Sequence, residues 1–285
     1  MSVQRGVLVV GATGNVGRHV VAGLVERDVP VAALVRDPSA ARLPPAVTVV
    51  PGDLREPGEL AARLGPVDAM FLVWPFGTAV GAAPLLAAVG PRLRRIVYLS
   101  SMSVRDELAT QLDPISAFHA KLERGIRDAV DDWTFLRSSG LATNTLGWAP
   151  QIRADGVVRW VHADAARSLV HERDLAAVGV QALTTDDHRH AVHRLTGPAA
   201  VTQAAQVAAI GAAIGRPVRF EEIPRAAARA PLAEALSGAA ADAILDGHAA
   251  LARTPEAVTD TVEVVLGRPA LTFGEWAADH AQDFR

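Results

Sequence analysis

The stretch Val7-Leu-Val-Val10-Gly11-Ala-Thr-Gly14-Asn-Val-Gly17-Arg-His decides how this chain is read. The apolar, Val-rich run Val7–Val10 enters a glycine-rich turn without any polar break. From about residue 15 to about 27 the apolar residues then recur at helical spacing. A strand, a Gly-x-x-Gly-x-x-Gly loop and a helix in that order make a phosphate cradle. Gly11 permits the tight turn, Gly14 lets the backbone approach a pyrophosphate, and Gly17 lets helix and strand pack closely. Thr13, Asn15 and Val16 lie between these glycines and are placed with them against the ligand. Asn15 is also expected to cap the helix, whose free N–H groups and dipole favour an anion. The expected ligand is a dinucleotide; the competing reading is a turn that needs glycine for packing alone.

Working outward, short apolar runs alternate with helical patterns. Strands are expected at Val31–Val35, Val47–Val50, Ala69–Val73, Ile96–Ser100 and Trp133–Arg137. Helices are expected at about 56–64, 78–89 and 114–130. The strands are Val-rich without polar alternation, so both faces are buried, as in a parallel sheet with helices on either side. The fold class is therefore α/β: a doubly wound parallel (Rossmann) sheet, residues 1–150, with a smaller, mostly helical C-terminal lobe, residues 151–285, packed on it. Within that lobe short strands are expected at Gly156–His162, Leu195–Thr196 and Val218–Ile223. Asp174 is expected to cap a helix running to about 183, and further helices are expected at 202–214, 226–236, 239–251, 255–265 and 272–283.

The composition removes several chemistries. There is no Cys, so disulfides, a thiolate nucleophile and Cys-ligated metal are excluded. There is one Tyr, Tyr98, and one Lys, Lys121. The net charge of −3 over 285 residues argues against a nucleic-acid scaffold. The histidines form no H-E-x-x-H pattern, so no metal site is expected. Residues 69–91 carry no charge, yet Pro75, Gly77, Gly81, Pro84 and Gly90 interrupt them, so a strand, a turn and a helix are expected rather than a membrane span. With no basic n-region and long apolar stretch at the start, a cytoplasmic location is expected. The expected partner is a small-molecule substrate, with a homodimer compatible.

Beyond the glycine loop, further segments carry a likeness: Val35-Arg-Asp-Pro38, Gly52-Asp-Leu54, Asp68–Pro75, Val97-Tyr-Leu-Ser-Ser101, His119-Ala-Lys-Leu-Glu123, Trp133-Thr-Phe-Leu-Arg137 and Asn144. Together they resemble the atypical short-chain dehydrogenase/reductase family, in its NmrA-like branch of quinone reductase-like and isoflavone reductase-like proteins. The resemblance implies NADP(H) in preference to NAD(H), because Arg36 stands where an Arg accommodates a 2′-phosphate. Asp37, before Pro38, is read as the cap of a helical turn. The resemblance also implies that Asp53 and Leu54 flank the adenine and that Asn144 lines the substrate cleft. Trp74 and Pro75 end a strand where the cofactor crosses the sheet; Trp74 either covers it or packs.

Classical members of the short-chain family it resembles use Tyr-x-x-x-Lys on the helix after the fifth strand. Here Lys121 holds the Lys place, but Ala117 stands where Tyr is needed, and Tyr98 lies inside the strand. Lys121 is the candidate for ribose contact or proton transfer. Ser100, at the strand end, and His119 are further catalytic candidates. His119 falls about 200° around the helix from Lys121. With Glu123 and Arg127 at i,i+4 spacing, it also suits a solvated ion-pair face. Phe76, Ser101, Asn144 and Trp148 are substrate-binding candidates. Without a matched acid the basic alkoxide from a simple ketone is disfavoured. The expected activity is therefore NADPH-dependent reduction of a small conjugated or aromatic acceptor, such as a quinone or enone. A non-catalytic NADP(H) sensor and a cofactor-assisted epimerase or lyase are the other readings the glycine loop allows.

Overall fold

The computed structural model describes residues 6–285. In chain order the first elements are β1 (Gly6–Val10), α1 (Gly17–Val25), β2 (Val31–Val35), β3 (Thr48–Pro51), α2 (Pro57–Arg63), β4 (Val67–Leu72) and α3 (Ala82–Val89). They continue with β5 (Arg95–Ser101), α4 (Pro114–Ala129), β6 (Asp132–Ser138), α5 (Ala149–Asp155), β7 (Val157–Trp160), β8 (Ala166–Arg167), α6 (Glu172–Thr184) and β9 (Ala191–Leu195). The last are β10 (Val201–Thr202), α7 (Gln203–Ile214), β11 (Arg219–Glu222), α8 (Arg225–Ala235), α9 (Gly238–Leu251), α10 (Thr261–Leu266) and α11 (Phe273–Asp279). None of the described helices is long and apolar enough to cross a membrane.

The chain divides into two compact units. One is built from the residues up to Gln111, Ser116–Ser138 and Glu172–Arg194; the other from Leu112–Ile115, Ser139–His171 and Leu195–Arg285. The first contains the seven-stranded sheet, in the order β3-β2-β1-β4-β5-β6-β9 and parallel from β3 through β6. The reversal of strand order at β1 and β4 is the point where a doubly wound sheet opens a crevice at its carboxyl edge. β1 and β2 are buried throughout, as their unbroken apolar runs require.

The structure redraws the boundary expected at residue 150. Helix α6, read from sequence as part of the C-terminal lobe, covers a face of the sheet. Gly179 lies so close that a β-carbon there would stand 2.7 Å from the Phe71 ring, and Gly23 of α1 similarly meets Val180. Asp174 is buried in the first turn of α6 rather than standing ahead of it as the cap, and α6 begins at Glu172. The next strand, β9, completes the sheet edge. Helix α3 starts at Ala82, later than expected, because Gly81 takes a left-handed conformation at φ +88°.

The second unit has its own core, in which Trp148, Ile152, Val158, Ile210, Trp276 and Phe284 are buried. Its two small sheets are β7–β11, parallel, and β8–β10, antiparallel. The helix expected at 255–265 shortens to α10. Residues before it are drawn alongside β8, with the Glu256 amide bonded to the Ala166 carbonyl and the Thr259 amide to Thr196 Oγ1.

Candidate functional site

The glycine loop has the geometry of a cradle. Gly11 has φ +81°, and a β-carbon there would approach Val73 to 3.1 Å. The Gly14 amide donates to the Gly11 carbonyl at 2.9 Å, closing the turn. At Gly17 a β-carbon would stand 2.0 Å from the Gly11 oxygen, closer than any atoms can approach. The start of α1 and the loop therefore touch backbone to backbone. The N-cap of α1 is Val16, and no side chain caps the helix. Asn15, expected as the cap, is exposed and one residue too early, while Val16 is buried beneath the loop. With no side-chain cap, the dipole of α1 points at the loop, although the Arg18 and His19 amides already donate to the Gly14 and Val16 carbonyls at 3.1 and 3.0 Å.

Beside the loop lies a cavity of about 710 Å³. Its walls come from the carboxyl ends of the strands: Val10, Gly11 and Thr13 after β1; Arg36 and Asp37 after β2; Gly52, Asp53, Leu54 and Arg55 after β3; Val73, Pro75 and Phe76 after β4. The two acids are each engaged. Asp37 Oδ1 accepts from the Ser39 amide at 2.9 Å and the Ser39 hydroxyl at 2.6 Å, and these bonds hold its pKa below the usual carboxylate value. This is a tight turn, not the expected helical one. Asp53 accepts from Arg55 through Nε at 3.0 Å, Nη2 at 2.6 Å and the backbone amide, which pulls its pKa down to about 2. Arg36 is exposed at the cavity wall, and neither acid is bonded to it.

These residues fit a nicotinamide dinucleotide. A cradle in which a side chain at Gly17 has no room, an uncapped helix and a cavity at the strand-order reversal are what a pyrophosphate and adenosine need. Trp74 is a correction. In the extended residues just past β4, Val73 and Pro75 line the cavity while Trp74 between them is buried in the core, its indole donating to the Thr78 carbonyl at 2.7 Å. Phe76 meets both, lining the cavity and packing edge-on against Trp74.

Around β5 and α4 the structure rearranges the expected partners. Tyr98, fully buried in β5, bonds His119 Nδ1 of α4 at 2.6 Å. Burial and then the Glu123 charge push the phenol pKa well above its usual value, so it stays protonated. Ser100 is buried, and its hydroxyl donates to Glu123 Oε1 at 2.6 Å. Glu123 itself is buried, correcting the expectation that it shares a solvated face with His119 and Arg127. The cause is Arg137: this buried guanidinium of β6 donates Nε and Nη2 to Glu123 at 2.9 and 2.7 Å. Its terminal nitrogens also form a bidentate pair with Asp106 at 2.7 and 2.6 Å. Arg127 lies over the Trp133 and Phe135 rings at 4.8 and 4.7 Å.

Lys121 is exposed on α4 and is not among the residues lining the cavity. Ser101 bonds Ser103 at 2.8 Å. In the second unit Asn144 is exposed on the 3-10 segment 142–148, while Trp148 is a core residue rather than an open wall. Sequence reasoning missed Arg55, Arg137 and Asp106. An Asp-x-Arg after a strand, and an Arg ending an otherwise apolar strand, were the available signals. No group of acidic and histidine side chains that would hold a metal ion occurs among the described residues.

Comparison with known proteins agrees with this geometry. A model of the NAD(P)H-binding family matches residues 11–186. The (4-alkanoyl-5-oxo-2,5-dihydrofuran-3-yl)methyl phosphate reductase of Streptomyces griseus is 39% identical over 98% of this chain and 99% of its own. The NAD(P)H azoreductase of Xenophilus azovorans is 36% identical over 98% and 99%. The Escherichia coli NADPH-dependent quinone oxidoreductase complexed with NADPH shares the fold, with a TM-score of 0.75 at 23% identity over 96% of this chain and 99% of that one. The chain belongs to the NAD(P)H-binding family, among its NAD(P)H-dependent reductases.

Proposed function

We propose that this chain reduces a small conjugated acceptor with NADPH rather than NADH. The observation that carries the cofactor choice is the pairing at the cavity wall. Arg36 faces the space where a 2′-phosphate would sit, while Asp53 is paired with Arg55 and Asp37 is engaged through Oδ1 by Ser39, which turns both acids toward internal donors. Bound NADPH supplies the hydride. The chain supplies position and a proton. The 2.6 Å bond between the Tyr98 hydroxyl and His119 Nδ1 fixes the orientation of the imidazole, which as the imidazolium would be the proton donor. Lys121 is the competing donor, or a ribose contact.

A conjugated acceptor suits this equipment, because its reduced anion is a weaker base than an alkoxide and needs no strong acid. Support comes from the two relatives matched over 98% of this chain, one named for reducing an alkanoyl-oxo-dihydrofuranylmethyl phosphate and the other for reducing azo compounds. The test is NADPH consumption over a panel of quinones, enones, azo compounds and simple ketones, with both cofactors titrated. Turnover of conjugated acceptors with tighter NADPH binding is expected. Efficient reduction of simple ketones alone, or equal affinity for NADH, would overturn the reading.

A further inference from the structure

The cavity wall of the first unit carries Arg36 and Asp37 after β2, and Asp53 and Arg55 after β3. The two guanidiniums balance the two carboxylates, so the wall as built is electrically neutral. The acids are held by different means. Ser39 offers Asp37 two uncharged donors, which leave its charge in place. Asp53 is enclosed by a single residue. The Arg55 amide and Nε donate to its Oδ1 at 2.9 and 3.0 Å, and Nη2 donates to Oδ2 at 2.6 Å. Both carboxylate oxygens are engaged, in the fork geometry that an arginine supplies.

Stability does not explain this pairing. The Arg55 side chain is 70% exposed and that of Asp53 23%. An ion pair so open to water adds little to folding. Its place on the cavity wall supplies a better reason. Stripped of Arg55, Asp53 would be a bare carboxylate on the wall that Arg36 shares. The two are close enough for the Arg36 charge to add to the Arg55 bonds in holding the Asp53 pKa down to about 2.

A bare acid there would act against a 2′-phosphate in two ways. It would compete for the Arg36 guanidinium, and it would repel the phosphate charge. NADH carries no such phosphate, and its ribose hydroxyls are donors that a carboxylate accepts. Unmasking Asp53 thus disfavours one cofactor without disfavouring the other.

We propose that Arg55 sets the cofactor preference by masking Asp53, not by contacting the phosphate. This rests on the cofactor reading above and adds to it a specificity-determining residue after β3 that works through another side chain.

The experiment titrates the full chain with NADPH and with NADH in the absence of acceptor, by fluorescence and calorimetry, so that binding is read apart from turnover. Arg55→Ala should lower the ratio of NADPH to NADH affinity about tenfold, the order of a unit charge acting on a phosphate across partly screened space. NADH affinity should hold or rise, which also reports that the variant is folded. Arg55→Lys keeps the charge and should keep the ratio within about threefold of the wild type. The decisive variant is the double exchange Arg55→Ala with Asp53→Asn. It removes the acid together with its mask and should restore the ratio to within about threefold. The ratio cancels any contact that Asp53 makes with the part common to both cofactors.

The proposal is overturned if Arg55→Ala leaves the ratio unchanged. It is equally overturned if the double variant stays as low as the single one, which would put Arg55 on the phosphate itself. A wild type that binds NADH as tightly as NADPH would sink the cofactor reading instead. A fall in the ratio on Arg55→Ala, restored in the double variant, would then still uphold the masking.

Discussion

Replacing Glu123 with Gln isolates the buried charge network between β5, α4 and β6. The native carboxylate accepts Ser100 Oγ at 2.6 Å and Arg137 Nε and Nη2 at 2.9 and 2.7 Å. Both Glu123 and Arg137 are almost wholly buried, with side-chain exposures of 1% and 2%. Removing one partner of a buried ion pair costs about 3–5 kcal/mol, because the other charge is left uncompensated. Here Asp106 still pairs with Arg137 in bidentate fashion. Gln keeps one acceptor but turns its NH₂ toward a donor. We therefore expect a loss at the lower end of that range, about 3 kcal/mol. Urea unfolding of Glu123→Gln against the wild type measures it. Asp106→Asn is the control: Asp106 is 66% exposed, so solvent screening should hold its loss to about 1 kcal/mol or less. A Glu123→Gln loss below that of Asp106→Asn would refute the reasoning, since burial would then not be setting the strength of the network.

Arg36→Ala should weaken NADPH binding by roughly ten- to a hundredfold, the worth of a charge-assisted contact, and change NADH binding far less; a parallel loss for both cofactors in fluorescence titrations would remove Arg36 from the 2′-phosphate. Gly17→Ala should abolish cofactor binding, because its β-carbon overlaps the Gly11 oxygen, and measurable NADPH affinity in that variant would contradict the cradle geometry. His119→Ala should lower kcat by about 10²–10⁴-fold if its Nε2 supplies the proton; if Lys121→Ala shows the larger drop, the role belongs to Lys121. Asp53, with its folded pKa depressed to about 2, should contribute stability that is full above its ordinary value and lost only as pH falls through about 2. Arg55→Ala should raise the carboxyl midpoint in an NMR titration, though not fully to the ordinary value because the residue-55 amide still donates, and an unchanged midpoint would show that the Arg55 side chain is not the cause.

The sheet and the cradle were legible because each rests on local pattern. Val-rich runs without alternation marked buried strands, and Gly11, Gly14 and Gly17 marked positions where the backbone leaves no room for a side chain. What stayed hidden depends on partners remote in sequence. Nothing at Glu123 announces that Arg137 will be buried across from it, so the i,i+4 pattern with His119 and Arg127 pointed to water instead. The Tyr98–His119 bond joins residues 98 and 119 across a strand and a helix, and neither one alone suggests it. Trp74 was undecided until the alternation of the residues just past β4 placed it, because period-two reasoning needs the register of one neighbour. Helix α6 misled for another reason: its covering of the sheet depends on Gly179 meeting Phe71, a contact with no local signature.

The route of the chain through the first unit also governs how this protein can be made. Strand β6 obtains its outer neighbour, β9, only from residues 191–195, and the Phe71 face is covered only once α6 has been synthesised. A nascent chain released at residue 150 would hold a complete nucleotide cradle, yet expose an open strand edge and an uncovered aromatic surface. Such edges template pairing with other chains. Cofactor binding and solubility thus mature at different lengths of polypeptide, and trimming this reductase to its dinucleotide half would keep the first at the expense of the second.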